Sequence, residues 1–65
     1  MNKGKKYTYA QIEQFAKDEN YDIDDIGSYN VGKNFVVLEA VEKDIVISLV
    51  LVSDTVFECI YSDLD

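Results

Sequence analysis

The apolar residues of this chain change their spacing once, and that change constrains the fold more than any other feature. Before residue 20, Ile12, Phe15 and Ala16 recur at the spacing of one helix face. After residue 25, apolar residues alternate with polar ones or form short runs rich in Val and Ile, which is typical of strands. One helix followed only by strands predicts an α+β fold.

Both ends of the helix carry a recognisable signal. Thr8, followed three residues later by Gln11, matches a capping box, in which each side chain bonds to the backbone N–H of the other residue. Asn20 suits the left-handed conformation in which many helices end. These signals predict a helix over residues 9–19.

Four strands are predicted after the helix, and short turns join them. The strands cover residues 26–31, 35–42, 45–52 and 55–61. The first turn, residues 31–34, contains Gly32. Strands connected in this way pair as an antiparallel meander. We predict one domain over residues 1–65, an α-β-β-β-β fold with the helix across one face, a flexible basic arm at residues 1–6 and an acidic tail at residues 62–65.

The predicted sheet is apolar on both faces, although the helix can cover only one. Glu39, Ser48 and Glu58 are the polar residues that mark the second face as the outward one. The same face carries Phe35, Val37, Val41, Val46, Val50, Val52, Val56 and Ile60. An exposed apolar patch commonly marks an interaction surface, so we predict that these residues meet a partner or a second copy. The alternative is that the β-branched residues serve only strand propensity.

The last strand contains the single cysteine of the chain. Strict alternation places Phe57, Cys59 and Tyr61 on the helix side of the sheet. Because no basic residue near Cys59 in sequence would lower its pKa, a small buried core residue is expected there and not a nucleophile.

Residues 18–25, DENYDIDD, place five acidic side chains in eight positions. In an extended chain Asp22 and Asp24 would project from one side, about 6.6 Å apart, and could imitate a row of phosphates. The competing interpretation is a solvated connector. The residues predicted to bind a partner are Asp18, Glu19, Tyr21, Asp22, Asp24 and Asp25.

A calcium loop is not expected in this stretch. An EF-hand loop beginning at Asp18 would have Ile23 where the sharp turn needs glycine and Tyr29 where a bidentate Glu is needed. A loop beginning at Asp22 would have Lys33 at that last ligand position. We predict no metal site and no cofactor.

Composition excludes several classes of function. The net charge is −7, from thirteen Asp and Glu against six Lys, which argues against direct binding to nucleic acid or to an anionic membrane. The chain has no histidine, so no catalytic triad with an imidazole base can form, and no catalytic residue is predicted. One unpaired cysteine and no export signal predict the cytoplasm.

These observations favour a small, acidic, non-catalytic protein-binding module. Its size and charge would suit a bacterial or phage-encoded inhibitor that imitates nucleic acid and binds a basic nucleic-acid-binding protein. The alternative is a homodimeric structural or accessory protein, in which the second sheet face forms the dimer interface and the acidity serves solubility.

Overall fold

The computed structural model of the chain describes residues 1–29 and 33–65, and the side chains of all of these except residues 25–29 and 33. The described elements are β1 (Lys6–Thr8), α1 (Tyr9–Glu19), β2 (Tyr21–Tyr29), β3 (Lys33–Ala40), β4 (Val46–Ser53) and β5 (Val56–Ser62). The strands form one antiparallel sheet in the order β1-β5-β4-β3-β2. The predicted α+β class, with one helix and an antiparallel sheet, is confirmed.

The helix begins and ends where its capping residues predict. The Thr8 side chain accepts a hydrogen bond from the Gln11 amide at 3.2 Å, and the Gln11 side chain accepts one from the Thr8 amide at 2.8 Å. Asn20 adopts a left-handed conformation with φ of 61°, and its amide donates to the Ala16 carbonyl. Local chemistry therefore sets both ends of α1.

The helix crosses one face of the sheet from edge to edge, because β1 and β2 lie at opposite edges. Near its start, the Tyr9 ring lies 5.8 Å from the ring of Phe57 on β5. Near its end, the Phe15 ring lies 5.0 Å from the ring of Tyr21 on β2. The core between the two layers consists of Ile12, Ala16, Val36, Leu38, Ile47, Leu49, Phe57 and Cys59. Burial of Cys59 agrees with its predicted role as a core residue.

Residues 4–6 of the segment predicted as a flexible basic arm are hydrogen-bonded or paired to the sheet, and Lys6 begins its fifth strand, β1. The Gly4 amide donates to the Cys59 carbonyl at 2.8 Å, and the Cys59 amide donates to the Lys5 carbonyl at 2.9 Å. Lys6 lies opposite Glu58 in the β1–β5 ladder. The physical reason is that β5 would otherwise leave a row of backbone groups unpaired at the sheet edge.

The C-terminal segment is likewise joined to the sheet and is not a separate tail. Ser62 belongs to β5 and is buried, and its hydroxyl donates to the Met1 carbonyl at 2.7 Å. The carboxylate of Asp63 accepts from the Val46 amide at 3.0 Å.

The first strand after the helix begins at Tyr21, five residues earlier than the predicted start at residue 26. Tyr21 and Ile23 pack against the core and alternate with the exposed Asp22 and Asp24. The prediction of a connector over this stretch is therefore wrong. The reason is that packing of Tyr21 and Ile23 against the core outweighs the low strand propensity of the Asp residues between them.

The predicted turn over residues 31–34 falls partly outside the described part of the chain. Residues 30–32 are not described, and β3 already begins at Lys33. At the other end of β3, the strand stops at Ala40, so Val41 lies in the following turn and not on the sheet face.

A bulge in β5 overturns the predicted orientation of Tyr61. Ser48 pairs with Tyr61 and the next residue, Leu49, pairs with Cys59, so Ile60 is an extra residue in β5. An extra residue shifts the alternation of side chains by one position. As a result Ser62 is buried on the helix side, whereas the Tyr61 side chain is 51% exposed.

Candidate functional site

The sheet face opposite the helix is the candidate site, and we call it the outer face. Its members alternate along each strand with buried core residues and with Tyr7, Tyr21 and Ile23, which pack against the core. They are Lys6, Thr8, Asp22, Asp24, Phe35, Val37, Glu39, Val46, Ser48, Val50, Val56, Glu58, Ile60 and Tyr61. In the described part of the chain, no helix or strand lies over this face.

Among the described side chains, six apolar ones form a band across the middle of the outer face, which we call the apolar band. It consists of Phe35, Val37, Val46, Val50, Val56 and Ile60, each of them half-buried. Phe35 pairs directly with Val50 across the β3–β4 ladder. These side chains shield one another in part, as cross-strand neighbours do, but their outward surfaces remain in contact with solvent.

Two residues predicted to belong to this apolar surface lie at its margin. Val41 is 53% exposed in the turn after β3. Val52 is 42% exposed and is the extra residue at an irregularity near the end of β4, between Leu51 and Ser53. The role of the whole predicted set in an interface stays a prediction.

Three carboxylates meet at one end of the outer face, and we call them the acidic corner. Asp22 on β2 lies directly opposite Glu39 on β3. Asp24 follows on the same side of β2, and its carboxylate accepts a hydrogen bond from Glu39 when Glu39 is protonated. This hydrogen bond and the negative charges of Asp24 and Asp22 raise the pKa of Glu39 above its usual value.

The acidic corner is a local conflict within the sheet. Like charges directly opposite each other destabilise an antiparallel pair. Groups with a perturbed pKa concentrate at functional sites, although structural charge clusters can perturb a pKa too. A cation placed between Asp24 and Glu39 would offset the repulsion and lower the pKa of Glu39 towards its usual value.

The structure separates the six acidic-stretch residues that were predicted to act together. Asp18 and Glu19 lie in the last turn of α1, where Asp18 accepts a hydrogen bond from the Gln14 side chain at 2.8 Å. Tyr21 packs on Phe15 at the helix side. The side chain of Asp25 is outside the described part of the chain. Asp22 and Asp24 alone reach the outer face among the described members.

Glu39 is the site residue that the sequence prediction missed. The sequence identifies Glu39 only as a polar residue of the outward face, because its partners Asp22 and Asp24 lie in another segment that does not read as a strand. The available signal was the alternation Tyr21-Asp22-Ile23-Asp24, which predicts an edge strand with both carboxylates on one side. Their pairing with Glu39 joins two features that the sequence presents separately.

Tyr61 and Asp63 form a second polar contact beside the apolar band. The Tyr61 hydroxyl donates to the Asp63 carboxylate, which also accepts from the Val46 amide. The bond to Asp63 raises the pKa of the Tyr61 phenol, and the bonds from Tyr61 and Val46 lower the pKa of Asp63. These bonds fix the end of β5 against β4. The bulge that creates this arrangement has no sequence signal.

Other reactive or ligand-binding chemistry finds little support in the described residues. Burial raises the pKa of the Cys59 thiol, so the thiolate is disfavoured. Among the described side chains, those of residues 1–24 and 34–65, no three from His, Cys, Asp or Glu are grouped so as to hold a metal ion. Every buried side-chain nitrogen or oxygen of these residues has a hydrogen-bond partner.

Comparison with known proteins adds no relative. No family model, no curated protein and no solved structure matches this chain. None of the helices in the described ranges combines the length and the apolar character needed to cross a bilayer.

Proposed function

We propose that this chain is a non-catalytic protein-binding module and that the outer face of its sheet is the binding surface. The observation that carries the proposal is the position of the acidic corner, which lies on the same face as the apolar band and directly beside it. Val37 lies opposite Asp24, and Val46 lies opposite Glu39. The partner therefore presents an apolar patch bordered by Lys or Arg.

The two parts of the surface contribute in different ways. Covering the apolar band removes apolar area from water, at about 25 cal/mol per Å². A Lys or Arg of the partner would relieve the repulsion among the carboxylates of the acidic corner. Charge complementarity of this kind mainly accelerates association and selects among partners.

The partner that we propose is a basic nucleic-acid-binding protein, and the module acts as its inhibitor. Asp22 and Asp24 project from one side of β2, about 6.6 Å apart in an extended strand, and Glu39 widens this row into a cluster. A groove that binds the closely spaced phosphates of nucleic acid is lined with cations. The net charge of −7 supports the same choice. We place this activity in the cytoplasm of a bacterium, with the chain encoded by the host or by a phage.

The test compares two variants that lose the same charge. In Asp22→Asn/Asp24→Asn the acidic corner loses two carboxylates. In Glu13→Gln/Asp54→Asn two exposed acidic residues change away from the outer face, one on α1 and one in the β4–β5 turn. Each protein is used as bait in a bacterial lysate, and captured proteins are identified by mass spectrometry at increasing salt.

The expected result is a basic protein that the wild type and the Glu13→Gln/Asp54→Asn control capture equally. The Asp22→Asn/Asp24→Asn variant should capture it less, and this remaining binding should depend less steeply on salt. Equal capture by both variants, or an unaltered salt dependence, would contradict a role of the acidic corner.

A further inference from the structure

The outer face carries opposite charges at its two edges. At the β2 edge the acidic corner concentrates three carboxylates. At the β1 edge Lys6 lies on the outer face, opposite Glu58. Lys5 precedes it on the opposite side of the same segment, so Lys6 is the lysine that β1 places on the outer face. The outer face therefore carries three carboxylates at one edge, an apolar middle, and a lysine at the other edge.

A surface with this pattern is complementary to itself under one kind of symmetry. The strand order β1-β5-β4-β3-β2 puts β4 in the centre. If two outer faces meet across a two-fold axis parallel to β4, the β2 edge of each copy lies over the β1 edge of the other. If the axis ran across the strands instead, the acidic β2 edges of the two copies would lie over each other.

We propose that a second copy of this chain covers the outer face in the free protein, with the two-fold axis parallel to β4. The inference rests on the proposed function in one respect, namely that the outer face is the interaction surface. It adds a regulation of that surface: a basic partner binds by displacing the second copy, because both occupy the apolar band and the acidic corner.

Packing and charge both favour the second copy as the occupant. Two sheets stack face to face at about 10 Å, with side chains interdigitating as in a β-sandwich. A standard interface buries about 800 Å² per partner, which is about a fifth of the 4252 Å² surface of this chain and is in the range of one sheet face. The pairing also brings Lys6 towards the carboxylates of the acidic corner, which lie opposite no lysine in the ladders of the single chain.

Small size makes such a dimer favourable for stability. Eight apolar residues are buried among the side chains that the structure describes. Domains of this length bury a smaller share of their surface than larger ones and are marginal without a disulfide, a metal or a partner. The chain has one cysteine, which is free and buried. Closing the outer face against a second copy would convert the half-buried apolar band into a second core.

The first test removes the apolar contact on the axis. Val46, Ser48 and Val50 project from the central strand, so each would meet its own copy across the two-fold axis. Val50→Lys would place two ammonium groups together in this contact. Glu13→Lys is the control, because it adds a lysine on the exposed side of α1. The mass of each protein is measured by sedimentation equilibrium at micromolar concentrations, and amide spectra verify that each variant is folded.

The second test determines the axis. Lys6→Glu and Asp24→Lys each place like charges opposite each other if β2 of one copy lies over β1 of the other. Each should raise the dissociation constant of the dimer by about tenfold or more, and the double variant Lys6→Glu/Asp24→Lys should restore it. Hydrogen exchange of the Cys59 amide, which donates to the Lys5 carbonyl, reports whether β1 stays paired in Lys6→Glu.

We expect a wild-type dimer that Val50→Lys dissociates and that Glu13→Lys leaves unchanged. The double variant Lys6→Glu/Asp24→Lys should dimerise as the wild type does. A monomeric wild type at micromolar concentration overturns the dimer but leaves capture of a basic protein through the outer face intact. A dimer that survives Val50→Lys places the interface elsewhere and also overturns it. If the double variant is weaker than both single variants, the axis is not parallel to β4. Loss of lysate capture alone would contradict the proposed function and leave the dimer standing.

Discussion

At the scale of single residues, Glu39 shows how tertiary structure creates a conflict that the sequence does not contain. In the sequence it is an isolated acidic residue between Leu38 and Ala40. In the sheet it lies opposite Asp22 and shares a hydrogen bond with Asp24. The pKa of Glu39 rises because ionising it would add a third negative charge to the acidic corner.

This conflict predicts how stability depends on pH. Because folding raises the pKa of Glu39 above 4.5, the folded state binds its proton more tightly than the unfolded chain does. The contribution of Glu39 to the free energy of unfolding should therefore fall as the pH rises from 4.5 through its folded-state pKa. Glu39→Gln should remove that fall and be more stable than the wild type at neutral pH, as measured by urea denaturation across this range.

Asp24→Asn provides the matching variant, because it removes the principal partner of Glu39 and leaves Glu39 in place. It should flatten the same part of the stability profile. If Glu39→Gln and the wild type lose stability in parallel above pH 4.5, the carboxyl pair does not form in solution.

At the scale of secondary structure, α1 is the element whose sequence signals and structure agree in full. Its start depends on Thr8, which caps the helix while its backbone still belongs to β1 and pairs with Val56. Its end depends on Asn20, which turns the chain directly into β2. The two caps therefore decide where the chain leaves one sheet edge and where it reaches the other.

The capping box gives a prediction for the helix. Thr8→Ala removes the acceptor for the Gln11 amide and should lower the free energy of unfolding by about 1 kcal/mol, within the range of about 0.5–2 kcal/mol for lost caps. Thr8→Ser keeps the hydroxyl and should stay close to the wild type. Urea denaturation followed by circular dichroism measures both. An unchanged Thr8→Ala would mean that β1 pairing alone positions the start of α1.

Strand β2 and the bulge in β5 are two features that the sequence pattern does not predict. Four of the nine residues of β2 are Asp or Gly, types that are depleted in strands. This composition argues against a strand, although Tyr21 and Ile23 alternate with Asp as strand residues do. The extra residue Ile60 leaves no compositional trace, because IYS would continue a regular strand equally well. Both features depend on which residues the neighbouring strands place opposite them.

At the scale of the whole molecule, the N-terminal segment extends the sheet beyond β5, which would otherwise be an edge strand. Removing residues 1–5 would delete the donor at Gly4 and the acceptor at Lys5, which both bond to Cys59, and also the Met1 carbonyl that accepts from the buried Ser62 hydroxyl. These three lost hydrogen bonds should lower the free energy of unfolding by about 1.5–4.5 kcal/mol. The measurement is the urea midpoint of the shortened chain against the full chain.

Lys3→Gln/Lys5→Gln is the control for this truncation. It removes the two charges and keeps every backbone hydrogen bond of the segment, so it should stay close to the wild type in a buffer of moderate ionic strength. A shortened chain as stable as the full one would show that residues 1–5 behave as the detached arm that the sequence suggests.

Local physical chemistry determined the helix with its caps, the central strands β3 and β4 and the apolar second face. Each of these follows from side-chain spacing or capping within a few neighbouring residues. Only the tertiary structure decided that residues 4–8 pair with β5, that Asp22 and Asp24 meet Glu39, and that Tyr61 turns outward. These depend on hydrogen bonds and register between segments far apart in the chain, where the need to pair backbone groups at a sheet edge outweighs local preference.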